Sequence, residues 1–154
     1  GRSAVETVTE YESGKHTFQL GKGVTLREGK DVTIVATGMM VQMALQAAEQ
    51  LAGEGISVRV IDLFTWKPLD EELVIKAARE TGAIVTTEEH NILGGLGEAV
   101  AGYLSGVCPV PVVRHGVNDV FGRSGKAPLV LEHYGLTPEG IATQARAAVA
   151  LKKG

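Results

Sequence analysis

A three-layer α/β/α domain on a mostly parallel sheet is the fold this sequence predicts, and three observations predict it. Runs rich in Val and Ile, such as Val32-Thr33-Ile34-Val35-Ala36 and Ile56-Ser57-Val58-Arg59-Val60-Ile61, alternate with segments whose apolar residues recur every three or four positions. The strand-like runs are nearly continuous in Val and Ile, as expected of strands covered on both faces. Glycine, or proline next to a capping residue, punctuates the changes of period. Strands joined in turn by helices imply right-handed crossovers and helices on both sides of one sheet.

Taken in order, residues 1–16 are polar and non-periodic, with Glu6, Glu10, Glu12, Ser13, Gly14 and Lys15, and read as a solvated linker. The domain proper starts near Thr17. Phe18–Leu20 and Val24–Arg27 flank Gly21-Lys22-Gly23, a hairpin-like or strand-turn lead-in. After the run 31–36, Val41, Ala44, Leu45, Ala48 and Leu51 share one helix face, and Gly53 and Gly55 end that helix. A second strand, 56–61, precedes Pro68 and a helix from Asp70 to Ala78 with Gly82 just beyond it; the acidic residues of its first turn suit the helix dipole. Ala83–Thr87 is the next strand, followed by a loop through Glu88-Glu89-His90-Asn91 and a helix over 94–105. Val110–Val117 is the last strand. A short helix ends at Gly135, and Thr137-Pro138-Glu139 starts the final helix with an N-cap and a first-turn proline.

Composition narrows the function. At 154 residues, folding can remove roughly two-thirds of the unfolded surface from water, so one sizeable core is expected, and with aromatics at 5% that core is mainly aliphatic. Net charge is −3 with no basic stripe, which argues against nucleic-acid and membrane partners and for a small-molecule or protein partner. Cys108 has no second cysteine to pair with, and no apolar stretch is long enough to span a bilayer, so the expected compartment is cytoplasmic. The chain opens Gly1-Arg2-Ser3-Ala4 without an initiator methionine, which reads as a piece of something longer.

In an open parallel sheet, chemistry is sought in the loops after the strands. Thr37-Gly38-Met39-Met40 lacks a dinucleotide fingerprint, and no G-x-G-x-x-G occurs anywhere. Glu88, Glu89 and His90 with Gly94, Gly95 and Gly97 join titratable groups to a glycine-rich helix start. Such a start can hold an anion on its amides and pass protons through His90. The reading favoured here is structural: the glycines let helix and sheet approach, and the polar groups hold the loop or a subunit contact. The later loop, Asn118–Lys126, is neither a Walker A motif, because Ala127 stands where Ser or Thr is required, nor a nucleophile elbow. Arg123 and Lys126 form a possible anion site there. His16, His90, His115 and His133 are scattered, so no metal site is assigned. Trp66 reads as a packing residue.

These stretches, taken together and in order, resemble the C-terminal domain of transketolases, most closely those bacterial enzymes split over two polypeptides. The resemblance rests on Leu26–Gly38, Lys67-Pro68-Leu69-Asp70, Glu88–Asn91 with Gly94–Val100, Phe121–Pro128 and His133–Thr137, and covers nearly the whole chain. Deoxyxylulose-phosphate synthases and β subunits of 2-oxoacid dehydrogenases share the domain; the last two stretches favour transketolase. The resemblance implies a Rossmann-like domain of five strands with one antiparallel edge strand over residues 17–154, preceded in 1–16 by a linker and the end of a pyrimidine-binding domain. It implies a parent enzyme that moves a two-carbon ketol unit from a ketose phosphate to an aldose phosphate, with thiamine diphosphate supplying the carbanion chemistry. Its implied partners are the remaining transketolase domains or an N-terminal subunit, in a homodimer. The family's Gly-Asp-Gly metal segment and its ring-activating glutamate lie on other domains, so thiamine diphosphate and magnesium are expected in the complete enzyme, none bound by this chain, and no residue here is assigned as catalytic. Arg2 matches the position where the family sets an arginine against the sugar phosphate, and a guanidinium suits that role by donating two parallel hydrogen bonds. Glu88, Glu89, His90 and the three glycines are expected at the active-site rim or dimer interface. A regulatory effector-binding module is the competing reading.

Overall fold

The structure is a computed structural model that describes residues 5–10 and 14–152. Its elements run β1 (Val24–Arg27), β2 (Val32–Ala36), α1 (Met40–Gly53), β3 (Val58–Asp62), α2 (Glu71–Thr81), β4 (Ile84–Asn91), α3 (Leu96–Val107), β5 (Val112–Val117), α4 (Ala127–His133) and α5 (Pro138–Leu151). The five strands stand in the order β1-β3-β2-β4-β5, with β1 antiparallel to β3 and every other pair parallel. The expected five-stranded sheet with one antiparallel edge is therefore what the chain builds.

Alternation along the buried strands divides two cores. Ile34, Val60 and Val85 face one side, where they meet Val41, Ala44 and Leu51 of α1 and Ile141, Ala145 and Ala148 of α5. Their neighbours Val35, Ile61 and Ile84 face the other, against Val74, Ala77 and Ala78 of α2 and Leu96, Val100 and Leu104 of α3. Each such aliphatic side chain contributes about 1.5–3 kcal/mol by leaving water. The alanines of α1 and α5 let those helices lie close together. With few aromatic rings to fill space, stability comes from this double aliphatic layer.

Local chemistry sets the ends of the helices. Asp70 Oδ1 accepts the Leu73 N–H at 3.2 Å as the cap of α2, and Gly82 closes that helix at φ 69°, a conformation glycine takes without strain. Thr137 Oγ1 accepts from the Gly140 N–H at 3.0 Å to cap α5. Asp70 has a second duty: its Oδ2 accepts the Gly23 N–H at 3.0 Å, tying the Lys67-Pro68-Leu69-Asp70 segment to the lead-in before β1. That motif is thus a brace, and the Lys67–Pro68 peptide bond within it is cis.

Two expectations need correction. Phe18–Leu20 is not a strand; its residues are exposed, and the Phe18 ring rests on Phe64 at 4.8 Å. Glu88–Asn91 is not a loop but the end of β4, which bridges to Val117 through Asn91. Within the polar N-terminal stretch, residues 5–10 form no helix or strand, yet Val8 packs against the first core. Trp66, expected as a packing residue, is 41% exposed.

Because β2 leads through α1 to β3 on one side while β4 lies on the other, the chain reverses direction across the sheet between β2 and β4. The carboxyl ends of those two strands are where a ligand site is sought in such folds.

Candidate functional site

At that position the side chain of Glu88 turns into the protein. It is 1% exposed, and both of its oxygens are used: Oε2 accepts the Leu96 N–H and Oε1 the Gly97 N–H, each at 2.9 Å. These amides are the unpaired donors at the start of α3, where the positive end of the helix dipole favours a negative charge. The glycines make the approach possible. A Cβ on Gly95 would collide with the Glu88 carboxylate, and one on Gly97 would come within 2.8 Å of both Thr86 Oγ1 and Arg114 Cγ. The helix start that resembles an anion cradle in the sequence is thus filled by the chain's own carboxylate.

Around it, polar side chains lock the turn between β4 and α3. Gly94, at φ 75°, donates its N–H to Glu98 Oε2 at 2.9 Å. Asn91 Oδ1 accepts from the Leu93 N–H, and its Nδ2 donates to Asp119 Oδ1, both at 2.8 Å. Arg114 donates to Ile92 O at 3.1 Å and pairs with Glu98 at 3.2 Å. His90 points outward, its Nδ1–H donated to Asn91 O at 2.8 Å. Its 3.9 Å separation from Glu88 Oε2 is too long for a hydrogen bond, so no proton relay joins them.

Glu89 is exposed and, with Met39 and Arg123, lines a cavity of about 400 Å³ at the crossing between β2 and β4. Arg123 Nη1 lies 3.3 Å from each ring nitrogen of His133. Lys126 precedes α4 and does not line that cavity, so the two cations of the loop are not brought to one pocket. Arg2 lies outside the described residues. Among the described residues, no group of three or more His, Cys, Asp or Glu is placed to hold a metal ion. The Leu96 and Gly97 amides at the start of α3 are already taken by Glu88.

Two buried titratable groups escape sequence reasoning. His115, on β5, is 7% exposed and spans two elements. Its Nε2 lies 3.0 Å from Gly135 O, which can only accept, so Nε2 carries the proton, and Nδ1 accepts from Thr87 Oγ1 at 2.9 Å. Burial holds the imidazole below its usual range. Asp62, at the end of β3, is 8% exposed, and loss of water pushes its carboxyl up to about 6. An acidic residue closing a Val/Ile strand is the one signal that points to Asp62 in the sequence; His115 leaves none, since Gly135 is far off along the chain.

Residues 21–141 match the family model described as transketolase, C-terminal domain. Over 130 residues the chain is 51% identical to the 6-deoxy-6-sulfo-D-fructose transketolase subunit SqwH of Clostridium sp. (strain MSTE9), a match covering 84% of this chain and 40% of that protein. A 1-deoxy-D-xylulose-5-phosphate synthase of Heliobacterium modesticaldum is 47% identical over 133 residues, 84% of this chain and 20% of its own length. Among solved structures, a split-gene transketolase described as an inactive β4 tetramer superposes with a TM-score of 0.93 at 50% identity, covering 99% of this chain and 49% of that one. The chain spans about half or less of each of these proteins.

Proposed function

This chain belongs to the transketolase C-terminal domain family, and from that premise we propose that it is the non-catalytic C-terminal domain of a thiamine-diphosphate-dependent transketolase. In this reading the complete enzyme moves a two-carbon ketol unit between sugar phosphates, in the cytoplasm and as a homodimer. The chain works with the remaining transketolase domains or an N-terminal subunit, which hold thiamine diphosphate and magnesium. The observation that carries the reading is Glu88: its carboxylate occupies the α3 amides that a free anion would need. A domain whose helix-start amides are satisfied internally is suited to framing a site and joining subunits. Glu89 and His90, exposed at the end of β4, form part of that frame, and Arg2 supplies the sugar phosphate with a bidentate partner. The similar split-gene transketolase described as inactive in a β4 tetramer supports a subunit that needs a partner for activity.

The similarity to a synthase of 47% identity favours one second reading, the same domain serving a deoxyxylulose-phosphate synthase. Combining this chain with the rest of its enzyme, thiamine diphosphate and magnesium separates the two. Ketol transfer from a ketose phosphate to an aldose phosphate is the expected outcome, and formation of a deoxyxylulose phosphate in its place overturns the reading.

A further inference from the structure

We propose that the cavity at the crossing between β2 and β4 binds a small zwitterion with an aliphatic body, of the class of the α-amino acids. The site goes beyond the framing role given to the domain above and does not depend on ketol transfer.

Its place comes first. Met39 follows β2 and Glu89 stands near the end of β4, so the cavity opens outside the carboxyl ends of two strands where the chain reverses direction across the sheet. Ligands of open parallel sheets bind at that position. The volume of about 400 Å³ falls within the range of small-molecule sites, about 300–1,000 Å³.

Polar side chains with uncommitted atoms converge there. Among the described residues, the Glu89 carboxylate makes no ion pair or hydrogen bond, and the Ser124 hydroxyl makes no hydrogen bond. Glu89 reaches over the turn between β2 and α1, where Gly38 has no side chain to cover it: a Cβ at Gly38 would come to 3.9 Å from Glu89 Oε1. Arg123 meets the His133 ring, with Nη1 lying 3.3 Å from each ring nitrogen, of which a neutral imidazole offers one as acceptor. The rest of the guanidinium keeps its N–H groups for a carboxylate, which it can hold on two parallel bonds.

The charges select the ligand. Glu89 and Arg123 line one cavity without pairing with each other. An anion alone satisfies Arg123 and is repelled by Glu89, and a phosphate ester, with nearly two charges at neutral pH, is repelled most. A cation alone has the reverse difficulty. A molecule carrying both signs a few bonds apart satisfies both walls. Met39, Val130 and Leu131 complete the lining with apolar surface, and a methionine adapts readily to the side chain laid against it. The ligand's carboxylate therefore goes to Arg123, its ammonium to Glu89 and its aliphatic side chain to the apolar wall. Ser124 can donate to the first or accept from the second.

Isothermal titration with L-leucine tests this, on the 154-residue chain and on the enzyme assembled with its other domains or subunit. One L-leucine is expected to bind per chain in both, with a Kd of about 1 mM or below. Glu89→Gln and Arg123→Met, both at exposed positions and with far-UV circular dichroism unchanged, are each expected to weaken it roughly 10-fold or more, the effect of losing a charge-assisted bond. Isocaproate and isoamylamine, which each lack one charge, bind less tightly, as does glycine, which lacks the aliphatic body. No saturable binding of L-leucine at tens of millimolar, or binding indifferent to both substitutions, overturns the proposal. So does tighter binding of inorganic phosphate that Arg123→Met abolishes. Binding to the chain that is lost on assembly overturns it too, because the rest of the enzyme would then fill the cavity. An enzyme that binds L-leucine here but transfers no ketol unit would refute the proposed function and leave this site standing.

Discussion

Gly95 lies so close to the Glu88 carboxylate that any side chain at Gly95 would displace it from the start of α3. Position 95 is thus fixed by the chemistry of position 88. Glu88→Ala leaves two buried amides without acceptors, at a cost of about 1–3 kcal/mol each. Glu88→Gln turns an amide donor toward one of the two N–H groups and costs less. Gly95→Ala overfills the same space and costs about 1–3 kcal/mol. Urea unfolding followed by circular dichroism measures all three, and Glu88→Ala is expected to be the most damaging.

Asp62 sets one part of the pH dependence. Its carboxyl, raised to about 6 in the folded chain from 3.8, contributes stability that is fully present below 3.8 and lost as pH rises through 6. Asp62→Asn removes this loss. The variant is therefore expected to exceed the parent by up to about 3 kcal/mol near neutral pH, with the advantage fading as pH falls below 6 and gone under 3.8. Thermal melts across that range check it.

His115 works in the opposite direction. Its folded-state pKa lies below the ordinary 6.5 because burial disfavours the charged ring, so its contribution is complete above 6.5 and lost as pH falls below that value. His115→Gln should flatten the acid limb of the stability profile. It should also cost about 1–3 kcal/mol at neutral pH, because Gly135 O and Thr87 Oγ1 lose a well-placed partner. Combining it with Asp62→Asn separates the two titrations.

His90 gives the contrasting case. Its side chain is 61% exposed, so His90→Ala is expected to shift the chain's own stability by no more than about 0.5 kcal/mol. Any effect should appear only in the assembled enzyme, as a mild change in subunit association or turnover. Comparing melts of the chain with kinetics of the complete enzyme checks both halves of this expectation.

The fold was legible in the sequence because Val and Ile runs and helix periodicity report burial directly. Ile34 and Val35, adjacent and equally apolar, imply a strand with both faces covered, and they lie in different cores. The end of β4 was not legible, because Glu-Glu-His-Asn looks like solvent-facing loop. It stays in the sheet because the first glutamate satisfies a helix start and the asparagine bridges to Val117. Phe18–Leu20 misleads in the reverse sense: strand-like residues without a neighbouring strand to pair with are left in the open. The structural use of the Gly94–Gly97 segment could be anticipated, but not that Glu88 would be the anion held there. His115 depends on a carbonyl twenty residues away, a relation no local pattern encodes.

We propose that this domain frames a thiamine-diphosphate site held by the rest of its enzyme and does not itself hold the cofactor; the Glu88 carboxylate already takes the Leu96 and Gly97 amides at the start of α3. Isothermal titration of the chain with thiamine diphosphate and magnesium tests that most directly. No heat of binding is expected, and a saturable interaction of micromolar affinity would overturn the proposal.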